Sequence, residues 1–324
     1  MKKLILATTV AAVLAPAAVI ADSKVYGNFR GSVVSTDTAA GSNQTQFVNN
    51  ASRVGVKGEY GTEGGLTGFY NFQLGADNDG TTASGTTTRY FFAGVKGSFG
   101  KVMAGKFSSS YKIAGLKTDP FYDTSAGSAN GGSNHGYSNL TNSWLSNGIS
   151  YISPKVMGAI TVNAAVYLDD EDNVPNGGNN VLNTGGEDPL NIGVTYSAGG
   201  ITASVQHFMD ADGVDGDATR VTAAYKANAL GLAISYEDHD TDAEFLAISG
   251  TYQMSDNTKF ALAYGDVEDA NSANTFNQNG ESVTIGVFQK IAPKTTISLL
   301  YSDVDADTGS TDRETIALGI IQTF

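Results

Sequence analysis

From residue 24 to the C-terminus the chain repeats one pattern: runs of about seven to thirteen residues in which bulky apolar side chains alternate with small or polar ones, closed by breaks rich in Gly, Asn, Asp and Ser. In "SRVGVKGEYG", residues 52–61, Val54, Val56 and Tyr60 share one side of an extended chain and Arg53, Lys57 and Glu59 the other. A period of two is the signature of a strand. Sixteen segments carry it: 24–36, 51–60, 65–76, 86–98, 101–107, 145–153, 158–168, 189–198, 201–208, 218–227, 229–237, 243–254, 257–266, 281–291, 294–303 and 312–324. No helix-period stretch competes with them.

The connections alternate in length. Short turns such as "GTEGG", "SFGK", "SAGG" and "IAPK" follow the even strands, whereas long polar loops follow the odd ones, among them residues 108–144 and "DDEDNVPNGGNNVLNTGGED". Before the first strand, Lys2, Lys3, the apolar run "LILATTVAAVLA" and "VIA" ending at Ala21 form an export signal, so residues 1–21 are expected to be removed and 22–324 to fold as one barrel domain. Downstream, no apolar run approaches the ~20 residues of a transmembrane helix. A chain of this pattern enters a membrane only as a closed sheet.

The two faces of the strands separate a lipid-facing barrel from a soluble one. The face with Tyr and Leu is bulky, as in Leu230, Leu232, Ile234 and Tyr236, and the opposite face is small or polar, as in Ala247, Ser249 and Thr251. Such side chains cannot fill a sixteen-strand cylinder to interior density, which places the bulky face against lipid and leaves a wet lumen. From the sixth strand on, each strand carries an aromatic near its end, as two interfacial girdles require. Eight of these eleven share the parity of the apolar face; Tyr167, Phe208 and Phe288 do not, and a β-bulge is the expected reason.

After removal of the leader, 17 basic face 33 acidic side chains, which argues against nucleic acid as a partner. The absence of cysteine excludes a disulfide framework and a thiolate site. His135, His207 and His239 show no spacing that suggests a metal or a nucleophile and its base. "DADGVDGD" invites calcium, but position twelve of an EF-hand loop would be Val221, so it reads as a solvated loop.

Several motifs now carry a resemblance. "VYGNFRGSV" at 25–33, "SRVGVKGEYGTEGGLTGFYNFQL" at 52–74, "TRYFFAGVKGSFGKVMAGK" at 88–106 and "NGISYISPKVMG" at 147–158 resemble the strands of Gram-negative general diffusion porins. The resemblance implies an all-β fold, a 16-stranded antiparallel transmembrane β-barrel with an inward-folded third external loop, and a homotrimer in the outer membrane. It also implies a constriction in which acidic loop residues oppose wall arginines. By position these are Arg30, Arg53 and Arg89 on the wall and Asp119 and Asp123 on the loop, with Trp144 in place of a further family arginine. Lys57 and Lys106 are further basic side chains of the lumen, and Phe324 is the signal read by the barrel-assembly machinery.

Opposed charges across a narrow wet passage orient polar solutes and disfavour apolar ones. The expectation is a passive pore for small hydrophilic solutes and ions, weakly cation-preferring because of its acidic mouths, not an enzyme and without a cofactor. Outer-membrane lipid and lipopolysaccharide are the surrounding partners, and acidic external loops are expected to share divalent cations with them without specificity. The alternatives are an outer-membrane barrel enzyme and a surface adhesin with acidic loops.

Overall fold

The computed structural model describes residues 23–38, 41, 44–62, 64–76, 86–127, 136–138, 140, 145–168, 188–209, 217–240, 242–269, 279–307 and 312–324. The expected leader, Trp144 and His135, and the "DDED" and "DADGVD" stretches, lie outside them.

Seventeen strands and one helix are formed among the described residues. In chain order these are β1 (Lys24–Thr38), β2 (Gln44–Asn49), β3 (Arg53–Gly61), β4 (Thr67–Ala76), β5 (Thr86–Gly97) and β6 (Gly100–Phe107), then α1 (Ser110–Leu116). There follow β7 (Leu145–Ile152), β8 (Ile160–Tyr167), β9 (Leu190–Ala198), β10 (Ile201–Met209), β11 (Ala218–Ala227) and β12 (Leu230–His239). The last are β13 (Glu244–Gln253), β14 (Thr258–Glu268), β15 (Gly280–Ala292), β16 (Thr295–Ala306) and β17 (Arg313–Thr323). Each strand from β3 on pairs antiparallel with the next, and β1 pairs with β17 from Asn28↔Thr323 to Thr38↔Arg313. The sheet therefore closes into a barrel and leaves no free edge. At the seam the Phe324 N–H donates to the Gly27 carbonyl at 3.1 Å.

Sixteen strands make the wall, as expected, and β2 is an addition. Residues 44–49 fall in an expected loop, because "QTQFVN" sets its two bulky residues, Phe47 and Val48, side by side and shows no alternation. In the structure β2 pairs with the outer half of β1 and β3 with its inner half, so β2 extends β3 across a break at residues 50–52. Phe47 stacks on Phe29 at 6.3 Å and supplies the missing apolar anchor. Short turns hold the other end of the barrel; between β9 and β10, Gly199 and Gly200 both take positive φ (60° and 80°), which a two-residue hairpin demands.

The faces separate as the pattern required. On β13 and β14, Ile248 and Leu262 are 46% and 53% exposed, whereas Ala247 and Ala261, one position away, are 3%. Val54, Val56 and Tyr60 are likewise exposed on the outside. A continuous outer band of Val, Leu, Ile, Tyr and Phe is the surface that a bilayer solvates. No helix among the described residues is long and apolar enough to cross a membrane.

The third loop, between β6 and β7, folds into the barrel. Tyr111, Phe121 and Leu140 are at most 1% exposed and form two apolar clusters with inward side chains of the wall. This accounts for the off-parity aromatics: they are not displaced by bulges but point inward to receive the loop. Tyr167 stacks on Phe208 at 5.8 Å, Phe208 meets Tyr111 edge-on at 5.9 Å, and Phe288 lies 6.0 Å from Phe121. Glycine at 286 makes room, since a Cβ there would meet the Phe121 ring at 2.7 Å.

Candidate permeation site

The loop is fixed to the wall at two charged stations. The first is built on the β11–β12 hairpin, whose register sets Arg220 opposite Glu237, both pointing inward. They form an ion pair at 0% and 1% exposure. Around it the loop supplies partners. Tyr111 donates its hydroxyl to Glu237 at 2.7 Å and accepts from Arg220 Nη1 at its carbonyl (2.9 Å), while the guanidinium lies 4.3 Å from its ring centroid. Ser138, on the returning limb, donates to the same carboxylate, and His239 Nε2 lies 2.9 Å from it. Asn191 on β9 accepts the Tyr111 N–H at 3.3 Å.

Helix α1 starts here because Ser109 caps it, its Oγ accepting the Lys112 N–H at 3.0 Å. Farther along, Ser249 donates to the Thr118 carbonyl at 2.6 Å. Lys112 is fully buried; burial pushes its ammonium well below the usual range, and the charges of Arg89 and Arg53 push the same way.

The second station contains the residues named from the sequence. Asp123 forms a direct ion pair with Arg53, and its carboxylate is 3.6 Å from Arg30. The strand break explains the aim of Arg53: Ala51 takes φ 61° and its carbonyl accepts from Arg53 Nε at 3.0 Å. Ser125 ties the loop to the same break by donating to Asn50 Oδ1 at 3.0 Å. Arg89, near enough to feel both Arg53 and Asp123, donates from Nε to Gln73 at 3.1 Å. Next to Asp123, burial pushes the Tyr122 phenol upward and the carboxylate adds to the shift.

The remaining residues stand apart. The Asp119 carboxylate accepts the Phe121 N–H at 2.8 Å and lines a cavity on the turn side of the loop. Lys57 is four residues nearer the short turn than Arg53, its ammonium over the Tyr26 ring at 4.9 Å. From the Tyr26 ring beneath it, hydrogen bonds run through Gln73 to Arg89. Lys106 is half-buried at the register shift between Gly105 and Phe107. Phe324 is exposed at the barrel seam, and Trp144 is outside the described residues.

Sequence reasoning missed Arg220, Glu237 and Tyr111. A signal existed, because Arg220 and Glu237 interrupt an otherwise small inward face, and a tight turn at Asn228 makes them cross-strand neighbours. Among the described residues, no group of three or more His, Asp or Glu side chains is placed to hold a metal ion.

The arrangement is a barrel narrowed by a pinned loop, with paired charges at the narrowing. The family model described as Gram-negative porin matches residues 7–310. A monosaccharide porin of a Halomonas species is 24% identical over 298 residues, covering 82% of this chain and 78% of the relative. The major outer membrane protein P.IB of Neisseria meningitidis is 34% identical over 128 residues, 36% of each chain. Among solved structures, the anion-selective porin from Comamonas acidovorans superposes with a TM-score of 0.74 at 15% identity, covering 94% of this chain and all of the other. Salmonella typhi OmpF in complex with daunomycin gives 0.73 at 20% identity, over 93% and 97% of the two chains. With the family model spanning most of its length, the chain belongs to the Gram-negative porin family, as a channel protein of the outer membrane and not an enzyme.

Proposed function

We propose that the chain forms a passive, water-filled pore for small hydrophilic solutes and ions, assembled as a homotrimer after removal of residues 1–21. The observation that carries this is the inward face of small and polar side chains around a lumen narrowed by one pinned loop. Monosaccharides are the solute class in the name of the Halomonas protein, and the Comamonas protein is named for selectivity toward anions. The trimer is suggested by the Vibrio cholerae OmpT described as a trimer form, which superposes at a TM-score of 0.64 and 15% identity.

At the narrowing, Arg30, Arg53 and Arg89 with Asp123 create the transverse field that holds ordered water and slows apolar solutes. The external mouth gives a weak preference for cations. Its strand ends carry outward carboxylates in register, with Asp238 opposite Glu244, Glu244 opposite Glu268, and Glu281 opposite Asp305. Like charges so placed repel, and divalent ions shared with lipopolysaccharide phosphates relieve the repulsion without acting as a cofactor. Phe324, its ring exposed where β17 meets β1, is the group that the assembly machinery reads.

The test is conductance of the detergent-extracted protein in a planar bilayer, with liposome swelling in monosaccharide solutions alongside. Stepwise openings that close in thirds are expected. Folded protein that gives no steps and no swelling would overturn the pore. Loss of thermal stability on chelation is expected if divalent ions bridge the rim; unchanged stability would overturn that part alone.

A further inference from the structure

The charges of the wall are sorted along the barrel axis. Seven strands carry an inward lysine within a few residues of the short turns: Lys24, Lys57, Lys96, Lys101, Lys226, Lys259 and Lys290. The described carboxylates at that end are few: Glu59, bound to Lys96 at 2.7 Å, and Asp256 in a turn. At the opposite end the outward faces of the strands carry Asp37, Asp238, Glu244, Glu268, Glu281, Asp305 and Glu314, an acidic ring around the outside of the mouth. Both arginine stations between them hold a carboxylate in direct contact.

Beneath the loop, the lysines border open space. A cavity of about 600 Å³ is bounded by Lys117 of the loop, Lys226, Lys259 and small wall residues such as Thr202 and Ala224, with Asp119 its single acidic side chain. A second, of about 420 Å³, shares Lys259 and adds Arg30, Lys290 and Asp256, and a third, of about 500 Å³, holds Lys96 and Lys101. Aromatic faces fix three of the ammonium groups over the lumen: Lys57 over Tyr26, Lys101 over Phe69 at 5.7 Å, and Lys259 over Phe288 at 4.3 Å.

We infer that this lysine collar is an anion-accumulating vestibule at the short-turn mouth, so that the pore has opposite ion preferences at its two ends and conducts asymmetrically. The collar attracts small anions, organic carboxylates included, and excludes cations that the acidic rim has gathered. Their opposition makes the preference measured in symmetric salt weak. The reach of each ring depends on the salt at its own mouth, since the Debye length is about 30 Å at 0.01 M and about 10 Å at 0.1 M. Dilute solution on the lysine side unmasks the collar; on the loop side it unmasks the rim.

The inference rests on the pore reading, and one bilayer experiment separates the two. Orientation is fixed with Asn257→Cys in a short turn, the only cysteine in the chain, modified by a charged thiol reagent added to one side. Reversal potential is then measured under a tenfold salt gradient, with KCl and with potassium acetate, in each direction. The expected result is a shift toward anions with the dilute side at the lysine mouth and toward cations with the gradient reversed. The triple variant Lys226→Gln/Lys259→Gln/Lys290→Gln should lose at least half of the first shift and keep the second. No conductance from folded protein would sink the pore itself. Normal steps with a reversal potential that ignores gradient direction, or a triple variant that behaves like the parent, would overturn the vestibule and leave the pore standing.

Discussion

The two stations that hold the third loop use the same chemistry in different surroundings. At Arg220–Glu237 the ion pair is at most 1% exposed, and Tyr111 and Ser138 of the loop bond to it. At Arg53–Asp123 the arginine side chains keep 14–22% exposure and Arg30 borders an open cavity. A buried pair is weak evidence of net stabilisation, because desolvation of both charges offsets their attraction. Its effect is specificity: with no water to substitute for a missing partner, the loop has one docked position. At the second station water reaches the arginines though not the buried Asp123, so the guanidinium groups can exchange a protein partner for water and tune the passage at modest cost to the fold. The first station thus behaves as a dowel and the second as part of the pore lining.

The largest effect should come from the dowel. Glu237→Gln leaves Arg220 charged, buried and without its counter-ion, which costs about 3–5 kcal/mol. Urea titration of the micelle-bound protein, followed by loss of the folded band, should show it, together with noisy conductance from an undocked loop. Replacing both partners, Arg220→Met with Glu237→Leu, should recover most of the loss, since a paired apolar substitution is often neutral or stabilising. A single variant as stable as the parent would mean that water reaches this station.

Asp123→Asn should act the other way round, with a smaller change in stability and a larger one in conduction. Losing hydrogen bonds to a charged group costs about 1.5–3 kcal/mol, and solvent at Arg30 and Arg53 keeps the loss at the lower end. The unneutralised arginines then face the passage and should shift the reversal potential toward anions. An unaltered potential would place the ion path away from this station.

Much of the wall was legible in the sequence because each strand announces itself locally. Alternation over ten residues, a turn with Gly or Asn, and an aromatic at the rim suffice, and the pattern is repeated sixteen times. β2 escaped because Phe47 and Val48 side by side among polar residues make no alternation, and its pairing depends on β1 running on past its contact with β3. The loop was legible only through resemblance, and only in part. Asp123 meets its arginine as that resemblance implied, whereas Asp119, with the same charge four residues earlier, turns back on the loop's own backbone. Which of two acids faces the wall is decided by the docking of Phe121 between them, a tertiary event. Tyr111 and Glu237 are 126 residues apart, and no local rule joins them. What the sequence did display was the receiving surface, in the three aromatics of the wrong parity. Where an inward aromatic stands among small side chains, as Phe288 does beside Gly286 and Thr284, something packs on it.

The smallest expected effect is the most discriminating for the contrast between stations. Tyr111 and Asp123 are twelve residues apart on the loop, and between them Thr118 and Phe121 have their own holds on β13 and β15. If those intermediate contacts isolate the two ends, Glu237→Gln and Asp123→Asn should be additive in the double variant to within about 0.5 kcal/mol, as for distant sites with no shared partner. If instead the loop is one stiff strut, undocking either end strains the other, and the double variant should be less damaged than the sum by a kcal/mol or more, because the second end is already lost with the first. Additivity would make the loop a chain of separate holds, in which the pore-side station can vary freely while the dowel keeps the lumen narrowed; strong coupling would mean that every change at the arginines is also a change in where the loop sits.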